Sequence, residues 1–193
     1  MLRSLYDRVM ALAGHRHAIR VLAIVAFMES SVFPIPPDVM IVPMVLAARA
    51  QAWRIAAVAT VASVLGGVLG YAIGAGLFET VGRPILELYG YTDRFAAFQE
   101  TYREWGAWIV AGAGFTPFPY KVITIASGVA QLDLGVFLVA SATSRGARFF
   151  LEVALLWWFG PPIRAFIERY LPALTWLFFI LLFAGFVAIR YVF

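Results

Sequence analysis

The sequence predicts an all-α integral membrane protein: an inverted repeat of two opposed re-entrant hairpins, each followed by a transmembrane helix, plus a C-terminal transmembrane helix. Three observations predict it. Of 193 residues, 63% are hydrophobic and 13% charged, against about 25% charged in soluble domains. The stretches Ile55 to Phe78 and Leu171 to Ile189 contain no charged residue, and each approaches or exceeds the roughly 20 residues a helix needs to cross a bilayer. Two proline-rich segments, alike in pattern, recur at a fixed distance.

Those segments are Glu29-Ser-Ser-Val-Phe-Pro34-Ile-Pro36-Pro37-Asp38 and Gly112-Ala-Gly-Phe-Thr-Pro117-Phe-Pro119-Tyr-Lys121. Pro34 and Pro117, Pro36 and Pro119, and Asp38 and Lys121 are each separated by 83 residues. Two prolines one residue apart cannot lie inside a straight helix, because each removes a donor and clashes with the preceding turn. Freed backbone at membrane depth is tolerated only where protein or a water-filled cavity covers it. The simplest reading is a hairpin that enters the membrane, turns at Pro-x-Pro and returns; a kinked crossing helix or a surface loop is the alternative. Pro34, Pro36, Pro117 and Pro119 are the structural residues of the two tips.

After each motif comes a polar turn (Arg49 to Arg54, then Gln131 to Asp133) and a long helical stretch, Ile55 to Phe78 and Leu134 to Gly160. The chain therefore reads as one domain over residues 1–193, with repeat one at about 18–78, repeat two at about 100–160 and a last helix at about 171–189. One crossing helix between the hairpins makes them enter from opposite faces, the construction of many secondary transporters. The N-terminal tail and the first turn carry six arginines, which the positive-inside rule assigns to the cytoplasm. The connector from Glu79 to Glu104 is assigned to the outside. No signal peptide is visible. Ala62, Gly66, Gly70 and Gly74 form a small-residue stripe for close packing, with one of the hairpins as the expected partner.

Ionisable groups inside a membrane segment mark function by default. Six stand out: Glu29, Asp38, Lys121, Arg145, Arg148 and Glu152. Glu29 and Asp38 bracket the first tip and suit proton uptake and release; the alternative is that each caps a half-helix, as Asp38 is placed to do, or pairs with an arginine across the repeat. Lys121 occupies the repeat position of Asp38, so the two can pair. Arg148 and Glu152 make an i,i+4 pair. Arg145, without such a neighbour, is free for a substrate headgroup or for Glu29, its fork of donors matching phosphate or carboxylate. Lys121, Arg145 and Arg148 are the headgroup candidates. Ser30, Ser31, Thr116 and Thr124 can satisfy freed backbone groups, Gly112 and Gly114 allow tight packing, and Trp157, Trp158, Tyr170 and Trp176 suit the interface.

Composition also excludes. There is no cysteine, which removes disulfides and thiolate chemistry. His15 and His17 lie in a basic flank, away from both motifs, and suggest no metal; no cofactor is expected. The net charge of +4 fits anionic lipid headgroups and not nucleic acid.

The Glu29-Ser-Ser-x-x-Pro-x-Pro-Pro-Asp38 segment and the Phe115-Thr-Pro-Phe-Pro-Tyr-Lys121-x-x-Thr124-x-x-Ser-Gly128 segment together resemble the DedA superfamily, also called the VTT or SNARE-associated family, and most closely its YqaA-like branch. The resemblance covers about Ala18 to Gly160. It implies opposed re-entrant hairpins in the cell inner membrane, with essential acids falling on Glu29 and Asp38 and an essential arginine on Lys121, where this chain departs. A second basic family position falls on Arg145. It also implies proton-motive-force dependence and movement of polyprenyl phosphate or phospholipid.

The resulting expectation is a multi-pass, proton-linked flippase or scramblase for an anionic phosphate-bearing lipid, its partners being membrane lipids, protons and a second copy of itself. The alternatives are a proton-coupled transporter or antiporter of a small solute or cation, and a purely structural membrane protein. An enzyme is not expected, since no nucleophile and histidine set sits near either motif.

Overall fold

The structure, a computed structural model, describes residues 17–32, 36–116, 119–160 and 162. Tip residues Pro34 and Pro117, the helix expected at about 171–189, and His15, Tyr170 and Trp176 lie outside the described residues. Among those described, all regular structure is helical.

Helix α1 (Ala18–Ser31) is closed by its own polar end: Ser31 Oγ donates to the Phe27 carbonyl at 3.0 Å and the Val32 amide donates to Met28. Beyond the first break, α2 (Asp38–Ala47) starts directly after Pro37, whose φ of −64° already suits a helix. A 3-10 turn (Arg49–Gln51) leads into α3 (Ala52–Leu77). Pro84 has no N–H for the carbonyl one turn back, and the helix widens just before it into a π-turn, Phe78–Gly82. Helix α4 (Arg83–Tyr89) then stops at Gly90, whose φ of 68° is left-handed. The expected connector is thus mostly helical.

Helix α5 (Thr92–Phe115) runs to the second break and α6 (Tyr120–Val129) follows it. The end of α6 is tied by two crossed bonds, Leu132 N–H to Ser127 and Gln131 N–H to Gly128, both 3.0 Å, with Gln131 in the left-handed conformation at φ 54°. Asp133 then caps α7 (134–160), its Oδ1 accepting from the Val136 amide at 2.9 Å. Both units therefore have the same order: helix, proline break, ten-residue apolar helix, tight turn, long helix. Only the run 49–89, which contains α3, is long and apolar enough to cross a membrane among the described residues, at mean hydropathy 1.9.

The small-residue stripe on α3 contacts both units. A Cβ at Gly66 would sit 2.1 Å from the Phe27 carbonyl oxygen of α1, and one at Gly74 would sit 2.0 Å from the Ile125 carbonyl oxygen of α6. Gly70 lies between them, against Thr124 and the Ser30 carbonyl; from the other side, Gly128 meets the Tyr71 carbonyl. The packing partner is thus one arm of each unit, where a single hairpin was expected. Gly114 also packs closely, on Ser144, whereas Gly112 faces open space.

Two apolar cores result. Leu22, Ile41, Val45, Ile55, Phe149 and Val153 form the first, joining α1, α2 and α3 to the C-terminal half of α7. The second gathers Tyr102, Val110, Tyr120, Leu132 and Phe137, from α5, α6 and the start of α7, with Tyr71 of α3 against it. Each long helix thus serves both units.

Candidate functional site

Helix α7 carries Arg145 and Arg148 three residues apart, so both point at the first broken unit. Arg145 is buried, 1% exposed, and its Nη2 donates to Glu29 Oε2 at 2.7 Å. Its Nε donates to Ser63 Oγ of α3 at 2.7 Å. The guanidinium carbon lies 4.9 Å from the Tyr120 ring centroid and 4.6 Å from that of Phe149, within cation–π range of both. Tyr120 is itself held by a hydrogen bond from its hydroxyl to Ser141.

Donor accounting fixes the direction of this network. Ser30 Oγ donates to Glu29 Oε2 at 3.2 Å. Its own proton is then used, so the 2.7 Å contact between Ser30 and Ser63 hydroxyls has Ser63 as donor. The bonds close a ring: Arg145 reaches Glu29 directly, and again through Ser63 and Ser30. A buried pair of this kind holds where further hydrogen bonds accompany the ionic contact, as those of Ser63 and Ser30 do here.

The second pair is more open. Arg148 Nη2 donates to both Asp38 oxygens at 3.0 Å, with side chains 21% and 28% exposed. Its Nη1 donates to the Thr116 carbonyl at the second break, also at 3.0 Å. One guanidinium therefore joins the start of α2 to the end of α5.

Four of the six singled-out charges thus meet as two pairs, each joining repeat one to repeat two. Glu152 lies beside them. The expected pairing of Asp38 with Lys121 does not form: Asp38 is taken by Arg148, and Lys121 Nζ donates to the Val32 carbonyl at 3.4 Å. The cap position of α2 falls on Pro37, and Asp38 stands in the first turn with its carboxylate on Arg148. The i,i+4 pair between Arg148 and Glu152 is absent among the described ion pairs, because Arg148 is turned to Asp38 and Thr116. Of the residues expected to satisfy freed backbone, Thr124 bridges the units, donating to the Ser30 carbonyl at 3.0 Å. Pro36 and Pro119 stand just before the starts of α2 and α6.

Near the outer end of the first core, Arg49 donates to the Trp157 carbonyl and lies 5.5 Å from its ring. Trp158 is 64% exposed. No group of three or more acidic or histidine side chains able to hold a metal occurs among the described residues.

The family model for the VTT domain matches residues 35–157. The chain belongs to the VTT-domain, or DedA, family. A protein of Haemophilus influenzae named "Uncharacterized protein" is 37% identical over 173 residues, covering 90% of each chain. A Histophilus somni homologue, also named as uncharacterized, is 35% identical over the same length and coverage. No solved structure matches. As a VTT-domain protein the chain is a membrane protein of a transporter-type family, which is not a family of enzymes. The matched span takes in Asp38, Lys121, Arg145, Arg148 and Glu152; Glu29 precedes it, inside the segment shared with the relatives.

Sequence patterns did not mark Ser63, Tyr120 or Phe149 as parts of this VTT site. A serine next to Ala62, on the small-residue side of an otherwise apolar helix, is the one available signal for Ser63. The two rings carry none, since aromatic residues at helical spacing read as core.

Proposed function

We propose that this VTT-domain protein is a proton-linked flippase or scramblase for an anionic, phosphate-bearing lipid, a polyprenyl phosphate or a phospholipid, in the cell inner membrane. The observation that carries this reading is the partly exposed Arg148–Asp38 pair at the junction of both helix breaks. An arginine held by a carboxylate through one nitrogen can exchange that partner for a phosphate oxygen with little rearrangement. Lys121, at the neighbouring break, adds a second cation. Arg145, enclosed between two rings and already bonded to Glu29 and Ser63, suits a fixed support better than a headgroup site.

A lateral groove supports a lipid over a small solute. Between α5 and α7 lies an apolar depression of about 520 Å³, lined by Ala107, Trp108, Ala111, Val136, Val139 and Thr143 among others. About one turn beyond Ala111 and Thr143, the same two helices bring Thr116 and Arg148 together. An acyl or prenyl chain in this groove places its phosphate next to Arg148. The ten-residue helices α2 and α6 span about 15 Å each, half of a hydrocarbon core of about 30 Å. That length supports two re-entrant arms meeting near the midplane, with the N-terminus in the cytoplasm. The carboxylates beside Arg148 are the groups through which a proton can be linked to headgroup binding.

The test is leaflet accessibility of a labelled polyprenyl phosphate or phospholipid in liposomes holding the pure protein. Transfer above that of empty liposomes, lost in Arg148→Gln, is expected. Wild-type protein that moves neither lipid sinks the reading.

A further inference from the structure

One buried acid has no role so far. Glu152 stands one turn after Arg148 on α7, and its Oε2 is shut off from solvent without a hydrogen-bond partner. The charged groups that act on it are Asp38 from α2 and Arg148 and Arg145 from its own helix, with Asp38 within hydrogen-bonding reach; Glu29 acts one step away, through Arg145. The two guanidiniums are each taken by one carboxylate, Arg145 by Glu29 and Arg148 by Asp38. That leaves three carboxyls for two cations, and the odd one is Glu152. Two ionised carboxylates only accept hydrogen bonds, so a bond between Asp38 and Glu152 requires a proton on one of them. An uncompensated charge here is costly.

We propose that Glu152 is the proton-exchange residue of the site: the Asp38–Glu152 carboxyl pair binds one proton, and its loss lets Glu152 take Arg148 from Asp38. In the protonated state Arg148 joins α7 to α2. Once the proton leaves to water, Glu152 becomes an anion at i+4 from Arg148, the spacing at which the two pair along one helix. The Arg148 link between α7 and α2 opens. The absent Arg148–Glu152 pair is then the other state of a two-position latch. This inference rests on the proton-linked reading above and adds the residue that binds the proton.

The test needs no transport. Infrared difference spectra of the purified protein in bilayers, titrated from acid to alkaline pH, report protonated carboxyl groups by their carbonyl band. Wild type is expected to show a titrating band that Glu152→Gln removes. Glu152→Asp, which keeps the carboxyl and shortens its reach, is expected to shift that band, and it serves if Glu152→Gln does not fold. A set of titrating bands unchanged in both variants overturns the assignment. If the band behaves as expected while wild-type protein moves no lipid, the flippase reading fails and the assignment of Glu152 stands.

Discussion

Removing Arg145 tests the difference between the two ion pairs. In Arg145→Gln, Glu29 loses its 2.7 Å partner, Ser63 loses a donor, and the Tyr120 and Phe149 rings lose the cation between them. Breaking one side of a buried pair costs about 3–5 kcal/mol. At about 2–4 °C per kcal/mol for a chain of this size, the midpoint falls by about 6–20 °C. The Arg148–Asp38 pair is 21% and 28% exposed, and solvent screening holds such a pair to about 1 kcal/mol or less. The bond to the Thr116 carbonyl adds about 1 kcal/mol, so Arg148→Gln is expected to lose only about 2–8 °C. The assay is thermal unfolding of detergent-purified protein followed by tryptophan fluorescence, with gel filtration to check folding. Adding Glu29→Gln to Arg145→Gln is expected to recover part of the loss, since no lone carboxylate then stays buried. If Arg148→Gln costs as much as Arg145→Gln, or the double variant is worse than either single variant, the division into a fixed and an exchangeable pair is wrong.

Other outcomes follow from the same contacts. Gly66→Ala and Gly74→Ala drive a methyl into backbone oxygens 2.1 and 2.0 Å away and are expected to cost at least about 1–3 kcal/mol. Gly76→Ala meets nothing within 4 Å and is expected to gain up to about 1 kcal/mol from helix propensity; the three unfolding midpoints check both signs. Thr124→Val preserves shape but leaves the Ser30 carbonyl without its donor, an expected loss of about 1–3 kcal/mol on the same scale. Asp133→Ala removes the cap of α7 and should lower the midpoint by the equivalent of about 1 kcal/mol.

Much of the helix plan was legible because its signals are local. Proline pairs end helices wherever they occur, and the breaks fall at both motifs. The charge-free run Ile55 to Phe78 anticipates α3, Ala52–Leu77, within a turn at either end. Pairing was less legible. The shared offset makes Asp38 and Lys121 equivalent positions, but equivalent positions touch only if both lie at the symmetry axis, and Asp38 instead meets Arg148 of α7. Likewise the spacing of Arg148 and Glu152 permits contact along one helix, but the sequence cannot weigh it against a carboxylate arriving from another element. Ser63 is barely legible, its place beside Ala62 being the one hint, and its position opposite Arg145 gives it meaning.

The contact of α3 with both broken units is made largely by backbone. At Gly66, Gly74 and Gly128 a carbonyl oxygen of the neighbouring helix fills the space that a side chain would occupy. Side chains can absorb a small displacement by changing rotamer; a carbonyl pressed onto a bare Cα has no such adjustment. Helices α1, α3 and α6 therefore form a spine that shifts as one piece or not at all. Where α7 meets α2 and α5, long side chains add to the buried apolar contacts, and such side chains can exchange partners. Arg148, bonded to Asp38 of α2 and to the Thr116 carbonyl of α5, is the adjustable fastening of that seam.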